Sequence, residues 1–134
     1  TGVHRTSSDV AKSYVGNMVN HEDAMKSIQQ MSGMAAVLLE KGYWRAFGEL
    51  LHEGWLLKKS LGEGISNQFL DSAYNLAREN GAIGGKILGA GGGGPMLLFV
   101  PPDRQADVRR CLGGFKEVPF KFEQEGSRVV YDGR

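Results

Sequence analysis

The residues whose types and spacing suggest chemistry lie in one stretch, GAIGGKILGAGGGGPMLLFV, at positions 81–100. Eight of its first fourteen residues are glycine, and Lys86 stands three positions before the run Gly89, Ala90, Gly91, Gly92, Gly93, Gly94. Without Cβ atoms, successive backbone amides can converge on an anion, and positive φ angles carry no steric cost. The run, called the glycine loop below, therefore predicts either a phosphate contact or a tight strand connection that another backbone approaches closely.

Two well-known nucleotide motifs do not fit the glycine loop. Its letters spell Gly-x-Gly-x-x-Gly, but the dinucleotide fingerprint needs a helix that opens on the glycines. Here Pro95 and an apolar run follow instead. A Walker loop is excluded because no Lys-Ser or Lys-Thr pair ends the run.

Composition narrows the class of protein. The 134 residues correspond to one domain, with 41% hydrophobic and 23% charged residues, so neither disorder nor a membrane protein is favoured. A net charge of +1 without basic runs argues against a nucleic-acid partner. The single cysteine, Cys111, is interpreted as a buried thiol in a reducing, cytoplasmic protein. His4, His21 and His52 show no metal-ligand or catalytic spacing and are interpreted as surface or capping residues.

The elements that must position the glycine loop follow from hydrophobic period and turn residues. A period of 3.6 predicts four helices in the first half, and runs typical of strands follow Gly81. The predicted order is helices first and then strand, strand, helix, strand, strand. This order predicts an α+β domain with an antiparallel sheet and helices on one face. The predicted helices cover about 8–19, 21–42, 43–62, 66–80 and 101–114, and the predicted strands cover 82–88, 95–100, 116–125 and 128–132.

Several side chains carry specific structural predictions. Trp44 and Trp55 are eleven residues apart, almost on one helical face, and are predicted to lie in the core. Ser66 is predicted to cap the fourth helix. The alternation of Val118, Phe120 and Phe122 with polar neighbours predicts a strand covered on one face.

The glycine stretch resembles the third conserved motif of the GHMP kinases, a family of small-molecule kinases. The segments TGVHRTSSD, GISNQFLDSAYNLARENGAIGGKILGAGGGG and VPFKFEQEGSRVVYD resemble the heptose 7-phosphate kinase branch. The resemblance implies a ferredoxin-like sheet and a chain, 1–134, that forms the carboxy-terminal half of a two-domain kinase. The family's phosphate loop is not matched here, so ATP and Mg²⁺ are expected to be held mainly by an amino-terminal domain, and this part alone is expected to be inactive.

The same resemblance assigns roles to residues of this chain, while no catalytic residue is expected in it. The glycine loop is expected to pack against the nucleotide loop and to position the substrate. Lys86 is expected to neutralise a phosphate, or else to be an exposed strand lysine. Arg5 is expected to hold the 7-phosphate with help from Ser7, or else to be a surface arginine. Asp71, with Ser66 and Asn67 before it, is expected to face sugar hydroxyls, or else to belong to a helix start.

The resemblance favours transfer of a phosphoryl group from ATP to the C1 hydroxyl of D-glycero-D-manno-heptose 7-phosphate. One alternative keeps the chemistry and changes the acceptor to fucose, galactose or a mevalonate-type alcohol. A second alternative is a non-catalytic ferredoxin-like module that binds a regulator or a partner subunit.

Overall fold

The structure is a computed structural model that describes residues 21–89, 91–122 and 125. The predicted helix at 8–19 and the predicted strand at 128–132 lie outside the described residues. The described elements follow the predicted order of helices and then strands. They are α1 (Glu22–Glu40), α2 (Trp44–Ser60), α3 (Gln68–Glu79), β1 (Gly84–Ile87), β2 (Met96–Phe99), a 3₁₀ turn (Pro102–Arg104) and α4 (Gln105–Cys111).

Helices α1 and α2 pack against each other, and the short turn that joins them contains a glycine. Gly42 has a φ of +71°, a conformation that terminates α1 and that residues with a Cβ rarely adopt. Helix α1 has no fully buried residue, although Ala24 and Ile28 pack against the core from its first half. This helix is therefore an outer layer, and α2 lies between it and the strands.

The core joins the end of α2, helix α3 and strand β1. Trp55 is only 2% exposed, as predicted, whereas Trp44 is 57% exposed. The prediction for Trp44 was wrong because this residue begins α2, one turn before the helix reaches the strands at Gly48. The main cluster comprises Trp55, Leu61, Ile65, Leu70, Tyr74 and Ile87.

Strands β1 and β2 pair antiparallel, with Gly84 opposite Phe99 and Ile87 opposite Met96. Helix α2 crosses β1 at a contact between backbones. A Cβ placed on Gly84 would lie 2.9 Å from the His52 amide nitrogen and 3.0 Å from the Gly48 carbonyl carbon. Because neither Gly48 in the helix nor Gly84 in the strand has a side chain, the two backbones can come into direct contact.

The predicted α+β class is confirmed, with helices packed on an antiparallel pair of strands. The predicted strand at 116–125 is not formed over residues 116–122, which have no regular secondary structure. Pro119 has no N–H to donate to a ladder, and Phe122 is 88% exposed rather than covered. Within the described ranges, every helix is too short or too polar to cross a membrane.

Candidate functional site

The glycine loop connects β1 to β2, and its described residues, Gly89 and Gly91–Gly94, have an irregular backbone, as the composition predicts. The Leu88 amide donates to the Pro95 carbonyl at 2.9 Å, and this bond closes the base of the loop. Positive φ angles occur at Gly89 (+82°), Gly91 (+110°), Gly92 (+73°) and Gly94 (+98°). Residues with a Cβ rarely adopt these angles, so this backbone path requires glycine. Ala90, the other predicted member of the loop, lies outside the described residues.

The middle of the glycine loop packs against the segment that leads into α3. The Gly92 amide donates to the Ile65 carbonyl at 2.7 Å, and the Asn67 side-chain amide donates to the Gly92 carbonyl at 3.3 Å. A Cβ on Gly91 would lie 2.8 Å from the Ile65 carbonyl oxygen. In the described part of the chain the Gly93 amide has no hydrogen-bond partner, which leaves it as a donor for an anion.

Two lysines lie beside the start of the glycine loop. Lys58, in the last turn of α2, donates from Nζ to the Gly89 carbonyl at 2.6 Å. Burial lowers the pKa of Lys58, and the nearby positive charge of Lys86 lowers that pKa further. Lys86 belongs to β1 and shares a strand face with Gly84, which contacts α2. The positive charges of a helix and a strand therefore meet at this end of the loop.

The start of α3 holds the third predicted site residue, Asp71. Its Oδ1 accepts from Lys59 Nζ at 3.0 Å and from Ser66 Oγ at 2.9 Å. Ser66 does not cap the helix as predicted, because Asn67 occupies the N-cap and accepts from the Leu70 amide at 3.0 Å. Asp71 thus pairs with α2, and Asn67 joins the same helix start to the glycine loop.

His52 and Tyr74 form a polar pair beneath β1. The distance from His52 Nδ1 to the Tyr74 hydroxyl is 2.8 Å, and the two rings stack. Burial lowers the pKa of His52, with further lowering by the charges of Arg78 and Lys59. Burial also raises the pKa of the 3% exposed Tyr74. The surface or capping interpretation of His52 was therefore wrong. Its partner Tyr74 is 22 residues away in the sequence, and only the fold brings the two side chains together.

The structure places Lys86 near Lys58, which contacts Gly89. It places Asp71 against Ser66, whose neighbour Asn67 contacts Gly92, so Lys58 and Asn67 are added as direct contacts of the loop. Lys58 was missed because a Lys-Lys pair in the last turn of a helix is the ordinary pattern of a solvated helix end. Arg5 and His4 lie outside the described residues. His21 stands at the N-cap of α1 without a side-chain capping bond.

The arrangement has the chemistry of an anion site at a loop. It offers a backbone amide, two ammonium groups and a conformation that only glycine adopts readily. Among the residues that the structure describes, no three His, Cys, Asp or Glu side chains are grouped to hold a metal ion. The amide and the ammonium groups are hydrogen-bond donors of the kind that a phosphate group accepts from.

Comparison with known proteins gives this site a family. Residues 35–116 match the family model described as "GHMP kinases C terminal". This range contains α2, α3, both strands and the glycine loop. The match therefore covers the contacts described above as well as most of the fold.

Individual relatives are kinases. The chain is 33% identical over 135 residues to a D-glycero-alpha-D-manno-heptose 7-phosphate kinase of Campylobacter jejuni, a match covering 94% of this chain and 38% of that protein. It is 37% identical over 68 residues to a mevalonate kinase of Thermococcus sibiricus, covering 49% of this chain and 20% of the relative. The chain thus spans well under half the length of these relatives.

A solved structure agrees on the fold. The mevalonate kinase of L. major, in complex with R-mevalonate, superposes with a TM-score of 0.74 over 84% of this chain and 36% of that one, at 21% identity. At this identity the likeness concerns the fold alone. Together with the family match over more than half of the residues, it leads to one conclusion: the chain belongs to the family of GHMP kinase C-terminal domains.

Proposed function

We propose that this chain is the carboxy-terminal domain of a two-domain, cytoplasmic sugar kinase. The reaction is phosphoryl transfer from ATP to a sugar hydroxyl, with D-glycero-D-manno-heptose 7-phosphate as the acceptor and its C1 hydroxyl as the attacking group. The observation that carries the proposal is the 33% identity to a heptose 7-phosphate kinase over 94% of this chain. The family match over residues 35–116 supports the broader statement that the protein is a kinase.

The glycine loop acts by position rather than by covalent chemistry. Phosphoryl transfer depends mainly on alignment of the reactants and on stabilisation of charge on the phosphoryl oxygens. Gly91 and Gly92 are held against Ile65, so the neighbouring Gly93 amide has a fixed place from which to donate. In this proposal the loop lies at the interface with the amino-terminal domain and positions the acceptor there.

Lys86 and Asp71 complete the proposed acceptor site. Lys86 neutralises a phosphate next to the loop, and Asp71 accepts from sugar hydroxyls with the oxygen that Lys59 and Ser66 leave available. Arg5 is proposed to hold the 7-phosphate. ATP, when bound together with Mg²⁺, supplies the phosphoryl group, and we expect the amino-terminal domain to hold most of both.

A mevalonate-type acceptor is the second candidate. It is favoured by the 37% identity to a mevalonate kinase, which is higher than the identity to the heptose kinase. That match covers only half of this chain, whereas the heptose kinase match covers nearly all of it. The wider coverage supports the sugar phosphate as the first candidate.

The test is an acceptor panel for the complete kinase, with ATP and Mg²⁺. The panel contains D-glycero-D-manno-heptose 7-phosphate, the same heptose without phosphate, fucose, galactose and mevalonate. We expect turnover on the heptose 7-phosphate and a much lower kcat/KM without the phosphate. Turnover on mevalonate alone would replace the acceptor, and an absence of acceptor-dependent ATP consumption would favour the non-catalytic module.

A matched pair of variants tests the proposed phosphate contact. Lys86→Gln should raise KM for the phosphorylated acceptor by about tenfold, because one charge-assisted contact is lost. Lys41→Gln removes an exposed lysine at the end of α1, remote in sequence from the loop, and should leave KM unchanged. Equal effects of the two substitutions would remove Lys86 from the site.

A further inference from the structure

We infer that Lys58 is a positioning residue that holds the first residue of the glycine loop for the proposed phosphoryl transfer. The inference rests on the proposed function for its kinetic part and on the geometry of the loop for its structural part. Its starting observation is the 2.6 Å hydrogen bond from Lys58 Nζ to the Gly89 carbonyl. The two residues are 31 positions apart, so this bond connects separate elements.

Two described residues of the glycine loop, Gly89 and Gly92, are hydrogen-bonded to one and the same stretch of chain. Lys58 donates to the loop at Gly89, and residues 65–67 hold Gly92 through the Ile65 carbonyl and the Asn67 amide. Both attachments belong to the end of α2 and the turn that follows it, residues 58–67. This stretch therefore acts as a clamp that determines where the loop lies.

The two attachments differ in what fixes them. At Gly91 packing restricts the loop, since a Cβ there would press on Ile65. At Gly89 a Cβ would meet nothing within 4 Å, so packing does not restrict this end. Gly89 also has a φ of +82°, and glycine loses more conformational freedom on ordering than other residues. Among the contacts of the described residues, the Lys58 hydrogen bond is thus the one that connects Gly89 to another element and helps to order the start of the loop.

The chemistry of Lys58 suits this task. Its four-carbon side chain reaches from a helix to a backbone carbonyl, and its ammonium group has three donors, of which the loop uses one. Burial and the neighbouring Lys86 both disfavour its positive charge, and the Gly89 carbonyl compensates with its negative dipole end. Loss of the ammonium would release the loop and remove a positive charge beside it.

The experiment compares three variants of the complete kinase. Lys58→Met introduces an uncharged side chain of similar length and so removes the donor, whereas Lys58→Arg keeps a donor. Lys41→Met is the control at an exposed helix end. For each, hydrogen exchange of the peptides that contain Gly91–Gly94 is measured by mass spectrometry. The kcat and KM for the acceptor and for ATP are measured in parallel, and circular dichroism checks that each variant is folded.

We expect Lys58→Met to accelerate exchange in the glycine loop by about tenfold while α3 keeps its protection. We expect kcat to fall by about 10- to 100-fold with little change in KM for ATP, because a misplaced loop misaligns the acceptor. Lys58→Arg should restore kcat to within about threefold of the parent value. Lys41→Met should match the parent enzyme in every measurement.

Three results would overturn the inference. Unchanged loop exchange in Lys58→Met would show that Lys58 does not hold the loop. Faster exchange with an unchanged kcat would show that its hold has no part in positioning. A failure of Lys58→Arg to restore kcat would assign the loss to something other than the donor. If the parent kinase turns over no acceptor, the proposed function fails, while the exchange measurement still decides the hold on the loop.

Discussion

Gly84 and Gly91 belong to the same hairpin, and each lacks a side chain for a different physical reason. Gly84 has no positive φ, yet a Cβ there would press on the backbone of helix α2. Gly91 has a φ of +110° and packs on Ile65, in a loop where Gly89, Gly92 and Gly94 also have positive φ. The strand glycine therefore serves helix packing, whereas the loop glycines serve a backbone path that a ligand or another domain can approach.

This difference teaches that a dense glycine stretch is not one motif. Gly84 in β1 and Gly48 in α2 set the distance between this helix and this strand, and that distance in turn places Lys58 beside the loop. The glycine loop uses this scaffold. We therefore expect substitutions in the strand to act on folding, and substitutions in the loop to act mainly on turnover.

Gly84→Ala should have the largest effect on stability. The new methyl group would meet the backbone of Gly48 and His52, which cannot rotate away as a side chain could. We expect a loss of about 3 kcal/mol in the free energy of unfolding, at the upper end of typical overpacking costs. Urea denaturation followed by circular dichroism measures it. A loss below about 0.5 kcal/mol would mean that α2 moves away easily, and the distinction between strand and loop glycines would fail.

Gly91→Ala and Gly89→Ala form the second test, since both angles are positive but only one site is crowded. Gly91→Ala adds a clash with Ile65 to the backbone strain, and we expect it to cost about 2 kcal/mol. Gly89→Ala adds strain alone, and we expect about 1 kcal/mol. In the complete kinase, Gly91→Ala should also lower kcat. Equal costs at the two positions would show that packing on Ile65 does not hold the loop.

Much of the fold could be predicted because the signals are local. The period of 3.6 residues and the stop at Gly42 placed α1 within two residues of its observed ends. The turn at Asn80 and Gly81, with a φ of +114° at Gly81, ended α3 as predicted. The irregular backbone of Gly89 and of Gly91–Gly94 was also predicted, because a run of glycines favours neither a helix nor a strand.

What could not be predicted depends on contacts between distant residues. Periodicity put Trp44 on the core face, but only the position of the strands shows that α2 begins outside them. Ser66 and Asn67 are both good N-cap residues, and the choice follows from the bond of Ser66 to Asp71. The role of Lys58 depends on a loop 31 residues away, which no local pattern of lysines reveals.

The region around β1 should also make the free energy of unfolding depend on pH. His52 lies against β1 and its pKa is lowered by burial first, then by Arg78 and Lys59, while Glu53 acts in the opposite direction. A lowered pKa in the folded state means that the unfolded chain binds this proton more readily. The free energy of unfolding should therefore fall as the pH decreases below about 6.5, the ordinary histidine value.

Unfolding by urea at several pH values between about 5 and 7.5, for the parent and for His52→Gln, isolates this contribution. Glutamine keeps an acceptor near the Tyr74 hydroxyl and does not titrate. The parent should lose more stability than the variant as the pH falls through this window. The same loss in both proteins would exclude His52 as the source.

Gly33→Ala should have the smallest effect and the opposite sign. Gly33 lies in the middle of α1, its φ is not positive, and a Cβ there would meet nothing within 4 Å. Glycine inside a helix costs about 0.5–1 kcal/mol relative to alanine, so the substitution should raise the free energy of unfolding by that amount. Urea denaturation of Gly33→Ala and Gly84→Ala under the same conditions measures the change in the free energy of unfolding for each. The kcat of the complete kinase should not change in Gly33→Ala. A loss of stability would mean that this face of α1 is covered in the folded protein. The space around a Cβ would then explain the effects of glycine substitutions in the hairpin but not in α1.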